Sequence, residues 1–89
     1  MLVTTSRYSS SNTRAFAKKI AIAFKSRYIA RGKKSIDSLV SFARRNGDSR
    51  ICIFVEKDSL PAHLEFISVK PNETWVWEKE KVMINYDES

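Results

Sequence analysis

Cysteine and histidine occur once each among the 89 residues. One thiol and one imidazole exclude an internal disulfide and cannot build a metal cluster. They also leave no second histidine for acid–base cleavage of RNA, and no carboxylates cluster in the way two-metal chemistry needs. Cys52 lies inside Ile51-Cys52-Ile53-Phe54-Val55, the setting of a buried, reduced thiol. His63 stands apart from any nucleophile, and Glu65, Glu78 and Glu80 read as a solvated strand face. Glycine is nearly as scarce. Gly32-Lys33-Lys34-Ser35 lacks the upstream glycine of a phosphate-cradling P-loop. No apolar run approaches the ~18 residues of a membrane span, and the apolar stretch at the start is too short for a secretory signal. The expectation is a cytoplasmic, non-catalytic protein that needs no cofactor or metal and meets no membrane.

Acidic residues are missing from one half only. The first fifty residues hold twelve of the sixteen basic side chains and two acids, Asp37 and Asp48, a balance of +10. Residues 51–89 hold four lysines against eight acids, −4, giving the net +6. Charge sorted in this way presents one positive surface to a polyanion, and phosphate is the obvious target. RNA is the leading partner.

The chain is long enough for one domain with one core, and it contains no internal repeat or linker. Leu2 to Ser6 reads as a first strand. Ser9-Ser10-Ser11-Asn12 is a loop in which Ser11 or Asn12 caps a helix over Thr13 to about Lys25. Phe16, Ile20, Ala23 and Phe24 would form its buried stripe, widened by Ala17 and Ala21. Tyr28-Ile29-Ala30 is a short second strand, and Arg31-Gly32-Lys33-Lys34 turns the chain. Ser35 caps a second helix that buries Ile36, Leu39, Val40, Phe42 and Ala43 and stops at Gly47.

Ile51 to Val55 is unbroken apolar sequence, as in a strand covered on both faces. A turn at Asp58–Pro61 leads to a strand over about Ala62 to Val69. In the last segment Trp75 and Trp77 share one face while Val82, Ile84 and Tyr86 are in the opposite phase. A bulge or tight turn around Glu78–Lys81 would reconcile them. The fold expected is α/β, a single small sheet domain over residues 1–89: βαβαβ with parallel strands and right-handed crossovers, then an antiparallel β meander.

Three short motifs occur in order. Leu2-Val3-Thr4-Thr5-Ser6-Arg7 is followed by Thr13-Arg14-Ala15-Phe16-Ala17 and then by Tyr28-Ile29-Ala30-Arg31-Gly32-Lys33-Lys34-Ser35-Ile36. Together with the Ile51–Lys57 strand, Pro61 and Leu64-Glu65-Phe66-Ile67, they resemble the start of an archaeal Brix-domain protein. That resemblance implies a role in ribosome biogenesis, chiefly rRNA processing and large-subunit assembly. It also implies a fold like half of a Brix domain, each half of which is similar to the anticodon-binding domain of class II aminoacyl-tRNA synthetases. A complete Brix domain is about twice as long, so only its first half is represented. The chain either stands alone or pairs with a second copy, as a homodimer, or with another protein that supplies the missing half. Trp75, Trp77, Val82 and Ile84 on the last strands are the candidates for that contact.

The two loop-to-helix junctions are the candidate phosphate sites, because helix starts offer free N–H groups and partial positive charge. In a parallel sheet both lie on the same rim. Ser6, Arg7, Arg14 and Lys18 would serve the first junction and Arg31, Lys33, Lys34 and Ser35 the second, contacting rRNA or a pre-ribosomal particle. Arg7 or Arg14 could instead pair with a strand-end carboxylate. Arg44 and Arg45 would sit at the opposite rim, complementing a helix C-terminus. A rival reading makes the chain a protein-interaction half-domain whose acidic, aromatic end docks an assembly partner.

Overall fold

The unbroken apolar run at 51–55 forms the middle of the sheet. In a computed structural model, which describes residues 1–72 and 74–86, the elements follow as β1 (Leu2–Thr5), α1 (Ser11–Ala23), β2 (Arg27–Tyr28), α2 (Ile36–Arg45), β3 (Arg50–Lys57), β4 (Leu60–Val69), β5 (Trp75–Trp77) and β6 (Val82–Met83). They build one six-stranded sheet of order β2-β1-β3-β4-β5, with β6 also on β4. β2, β1 and β3 are parallel, while β4 pairs antiparallel with β3, β5 and β6. The expected α/β architecture is present, with one change at its end: β6 returns to β4 instead of adding a further strand outside β5.

Alternation along β3 assigns the two faces. Ile51 and Ile53 pack with Leu2, Ile67, Val69 and the Leu39, Val40 and Ala43 face of α2. Cys52 and Phe54 pack with Val3, Phe66 and the Ala17 and Ala21 face of α1. The chain leaves β1 toward one side to form β2 and then crosses back to place β3 on the other. Right-handed crossovers in opposite directions put their helices on opposite faces of the sheet.

Both helices begin on serine caps. Ser10 accepts from the Thr13 N–H and Ser35 from the Ser38 N–H, so the first cap sits one residue before the expected Ser11 or Asn12. α1 consequently starts and ends early. Its buried stripe is Thr13, Ala17 and Ala21, flanked by Phe16 and Ile20, whereas Ala23 is exposed and Phe24 is 71% exposed. Phe24 is the C-cap of α1, its N–H donating to Ile20 O at 3.0 Å. α2 matches its expected span and stops at Gly47. There Asp48 N–H donates to Ala43 O and Gly47 N–H to Arg44 O, at 2.8 and 3.2 Å, the Schellman arrangement, with Gly47 at φ 75°.

The last segment corrects the expected phase change. Trp77 lies opposite Ile67 and Val82 opposite Leu64. Five residues of the tail thus pass three of β4, and an excursion of two extra residues leaves the alternation unchanged. No flip is required, because the two faces are buried against different helices. Trp75 packs with the α2 cluster and Ile84 with the α1 cluster, while Tyr86 meets Phe16 edge-on at 5.1 Å. The β3–β4 turn is also tighter than expected. Lys57 pairs with Leu60, so Asp58 and Ser59 form a two-residue loop, both with positive φ (54° and 64°). Pro61 falls inside β4, opposite the register shift between Val55 and Glu56, where a strand tolerates a missing N–H.

A left-handed backbone is costly for serine and natural for glycine. Ser59→Gly should raise stability by about 0.5 kcal/mol, after glycine's greater unfolded entropy is set against the relieved strain. A shift of the urea midpoint with an unchanged slope would show it.

Candidate nucleic-acid interface

Parallel pairing of β1, β2 and β3 brings both helix entries to one rim. Two buried threonines fasten the loops there: Thr4 Oγ1 donates to Ile29 O at 2.7 Å, and Thr5 Oγ1 lies 2.7 Å from Ser9 Oγ. Arg31 joins the two junctions. Its side chain is only 6% exposed, with Nη1 donating to Thr5 O at 3.0 Å and Nε to Lys34 O at 2.7 Å. Burial, then the nearby Arg7 charge, lowers its pKa from the ordinary arginine value. It was expected as an exposed RNA contact. The structure gives it a different part, a charged strut committed to backbone carbonyls.

The first helix start is not an open anion site either. Glu56, at the end of β3, receives the Ser10 N–H at 3.1 Å on both oxygens. It also accepts from Ser10 Oγ at 2.8 Å and Thr13 Oγ1 at 2.6 Å. A carboxylate therefore stands where a phosphate was expected, at the positive end of α1. Burial works to raise the Glu56 pKa. The hydrogen bonds from Thr13 and Ser10, with the charge of Arg14, outweigh it and hold the carboxyl below its ordinary value. The residue was legible only through register: Thr5 pairs with Phe54, which sets Glu56 beside the loop that leaves β1.

Of the remaining contacts expected at the rim, Ser6 gives its N–H to Phe54 O at 2.9 Å, and Ser35 is engaged as the α2 cap. Lys34 Nζ donates to Ala30 O at 2.9 Å. Lys18 lies 5.8 Å from the Tyr28 ring, on the flank of α1 beside β2. Arg14 and Lys33 line an open groove of about 370 Å³ between the junctions. Its walls are Tyr8, Ser9, Arg14, Ala30, Gly32 and Lys33, and Arg7 lies against the Tyr8 ring at 5.8 Å. Arg14 Nη1 donates to Ser9 O, which orients it along the wall. Tyr8 went unnoticed in the sequence, where nothing but its place in a serine-rich loop sets it apart.

Elsewhere three arginines are engaged, Arg27, Arg44 and Arg50. Arg27 and the N-terminal ammonium meet Asp48. Arg50 pairs through two nitrogens with Glu78 at 2.8 Å each and covers the Phe66 ring at 4.0 Å. Arg44 Nη2 clasps the Lys70 and Thr74 carbonyls, tying the β4–β5 turn to α2 instead of capping its own helix. Glu65 and Glu78, expected as a solvated face, lie on opposite faces of the sheet. Each has its pKa lowered, chiefly by a hydrogen bond, from His63 to Glu65 and from Arg50 to Glu78. Burial pushes the Cys52 thiol up to about 12, so it is inert. Among the described residues no group of three or more His, Cys, Asp or Glu is placed to hold a metal ion, and no helix is long and apolar enough to cross a membrane.

The four candidate interface residues do not make one surface. Trp75 and Trp77 face the α2 side of the sheet, whereas Val82 and Ile84 face the α1 side. Trp77 and Val82 are about half exposed (47% and 48%), while Trp75 and Ile84 are partly buried in the two clusters.

No protein-family model and no curated protein matches the chain. Solved structures do. Mil, an archaeal Imp4-like protein, matches 76% of the chain at 34% identity with a TM-score of 0.70. A probable ribosomal biogenesis protein from Aeropyrum pernix K1 matches 85% at 28% identity with a TM-score of 0.76. The chain covers 43% of each, less than half their length. Both likenesses bear out the resemblance to archaeal Brix-domain proteins and the fold expected from it.

If Glu56 clamps the start of α1, Glu56→Gln should cost about 1–2 kcal/mol, since an amide cannot accept all of those hydrogen bonds. The sign with pH follows from the lowered pKa. Stabilisation by Glu56 is present above the ordinary value of 4.5 and disappears as the pH falls through the lower folded value. Urea titrations at neutral and acidic pH should show the gap between wild type and variant closing in acid.

Proposed function

We propose that this chain is a non-catalytic, RNA-binding ribosome-biogenesis factor that holds rRNA at the rim joining its two helix entries. The observation that carries this reading is the groove between the two junctions, with Arg14 and Lys33 on its walls and Arg7 beside its Tyr8 wall. Arg27 and Arg50 are paired with carboxylates and Arg31 and Arg44 with carbonyls, while Arg14, held by one bond to Ser9 O, shares the groove with Lys33, and Arg7 stands beside it. Cations that form no salt bridge among the described residues suit phosphates. The names of the two structural relatives point to the same process. A part in rRNA processing or large-subunit assembly follows from the Brix resemblance and belongs to the same proposal, with the cytoplasm as its place. So does pairing with a second copy or with another protein.

Phosphate contacts release counterions, so affinity should fall steeply between about 50 and 200 mM salt. Changing Arg7, Arg14 and Lys33 together to Gln should weaken binding of rRNA fragments at low salt. It should also reduce the salt slope by about 3, roughly 1 for each phosphate contact removed, with the circular dichroism spectrum unchanged. An unaltered slope in a folded variant would remove the groove from the interface.

A further inference from the structure

The groove has one wall that phosphate binding does not explain. Tyr8 is 73% exposed, and its backbone sits at φ 58°, a left-handed conformation that is an outlier for a bulky side chain. Backbone strain of this kind persists where surrounding structure enforces it, and it gathers at binding sites. The enforcement is visible on both sides of Tyr8. Ser6 is bonded into β3, and Ser9 and Ser10 are held by Thr5 and Glu56. The loop therefore lifts an aromatic ring out of the protein beside the Arg7 guanidinium, 5.8 Å from the ring centroid. Arg14 and Lys33 stand across the same groove.

From this we infer that the groove takes an unpaired base of single-stranded RNA, stacked on Tyr8, with Arg7, Arg14 and Lys33 on the flanking phosphates. An aromatic face among cations is how proteins hold single strands without reading their sequence, and unstacked bases are what RNA-binding proteins engage with aromatic and arginine planes. A duplex shows the same cations its phosphates but has no free base face for the tyrosine. An acidic peptide would use the cations and leave the ring idle. At about 370 Å³ the groove is within the range of sites that hold a small planar ligand. Gly32 completes the opposite wall. An added Cβ there would meet nothing within 4 Å, and at φ 51° the glycine serves the turn. The inference rests on the RNA-binding reading and specifies the strandedness of its ligand.

The test uses an RNA decamer carrying one 2-aminopurine, whose fluorescence drops on stacking, beside an RNA duplex of the same composition. Wild type should bind the single strand and quench it. Tyr8→Ala should weaken single-strand binding at least about 10-fold, the size of one lost base–aromatic stack, and abolish the quenching, with duplex binding unchanged. Tyr8→Phe, which keeps the face, should retain both. Equal single-strand affinity in wild type and Tyr8→Ala, or an equal loss on duplex, would overturn the stacking site while leaving RNA binding by the rim intact. Wild type that binds neither RNA, or is displaced as readily by polyglutamate, would overturn the RNA reading itself.

Discussion

The guanidinium of Arg31 joins the end of β1 to the entry of α2, and the working rim is arranged around that link. The chain crosses its own first strand, with β2 on one side and β3 on the other, so the loops leaving β1 and β2 must diverge to opposite faces of the sheet. Arg31 bridges that divergence with hydrogen bonds to Thr5 O and Lys34 O. A buried charge is tolerable only when such partners replace water. Its donors hold the two junctions at a fixed spacing, and the groove is the gap between them.

Glu56 does the corresponding work on the other face, binding the start of α1 through Ser10 and Thr13. Two of the features that first suggest phosphate binding, a helix N-terminus and a basic turn, are thus partly engaged by the protein itself. The rim's spare charge comes from the side chains placed around these internal bonds. That placement distinguishes the buried Arg31 from the more exposed Arg14 and Lys33, which net charge alone would not.

Periodicity made much of the fold legible. The Ile51–Val55 run, the Leu39, Val40 and Ala43 face and the Ser35 and Gly47 signals all describe α2 and β3 as they stand. α1 was legible in type and displaced in its bounds, because four consecutive polar residues each could cap it and only the partner of Ser10, Glu56, decides between them. The opposite phases of Trp75 and Val82 are legible in the sequence but need no bulge, since β5 and β6 turn these side chains to opposite faces of the sheet, each covered by a different helix. At the candidate site, charge and position in the sequence point to Arg7, Arg14 and Lys33, of which Arg14 and Lys33 line the groove. Arg31 shares their chemistry and lies within the same basic turn, and nothing local distinguishes a buried arginine from an exposed one. Tyr8 needed a backbone angle that the sequence does not display.

The description of Arg31 as a strut is the claim on which the groove's geometry turns. Unfolding Arg31→Ala in urea tests it most directly. Loss of two charge-assisted hydrogen bonds from a buried site should cost about 2–4 kcal/mol, with RNA affinity falling only as far as the rim is disordered. Wild-type stability together with a sharp loss of RNA affinity would contradict the account and return Arg31 to the surface as a direct RNA ligand.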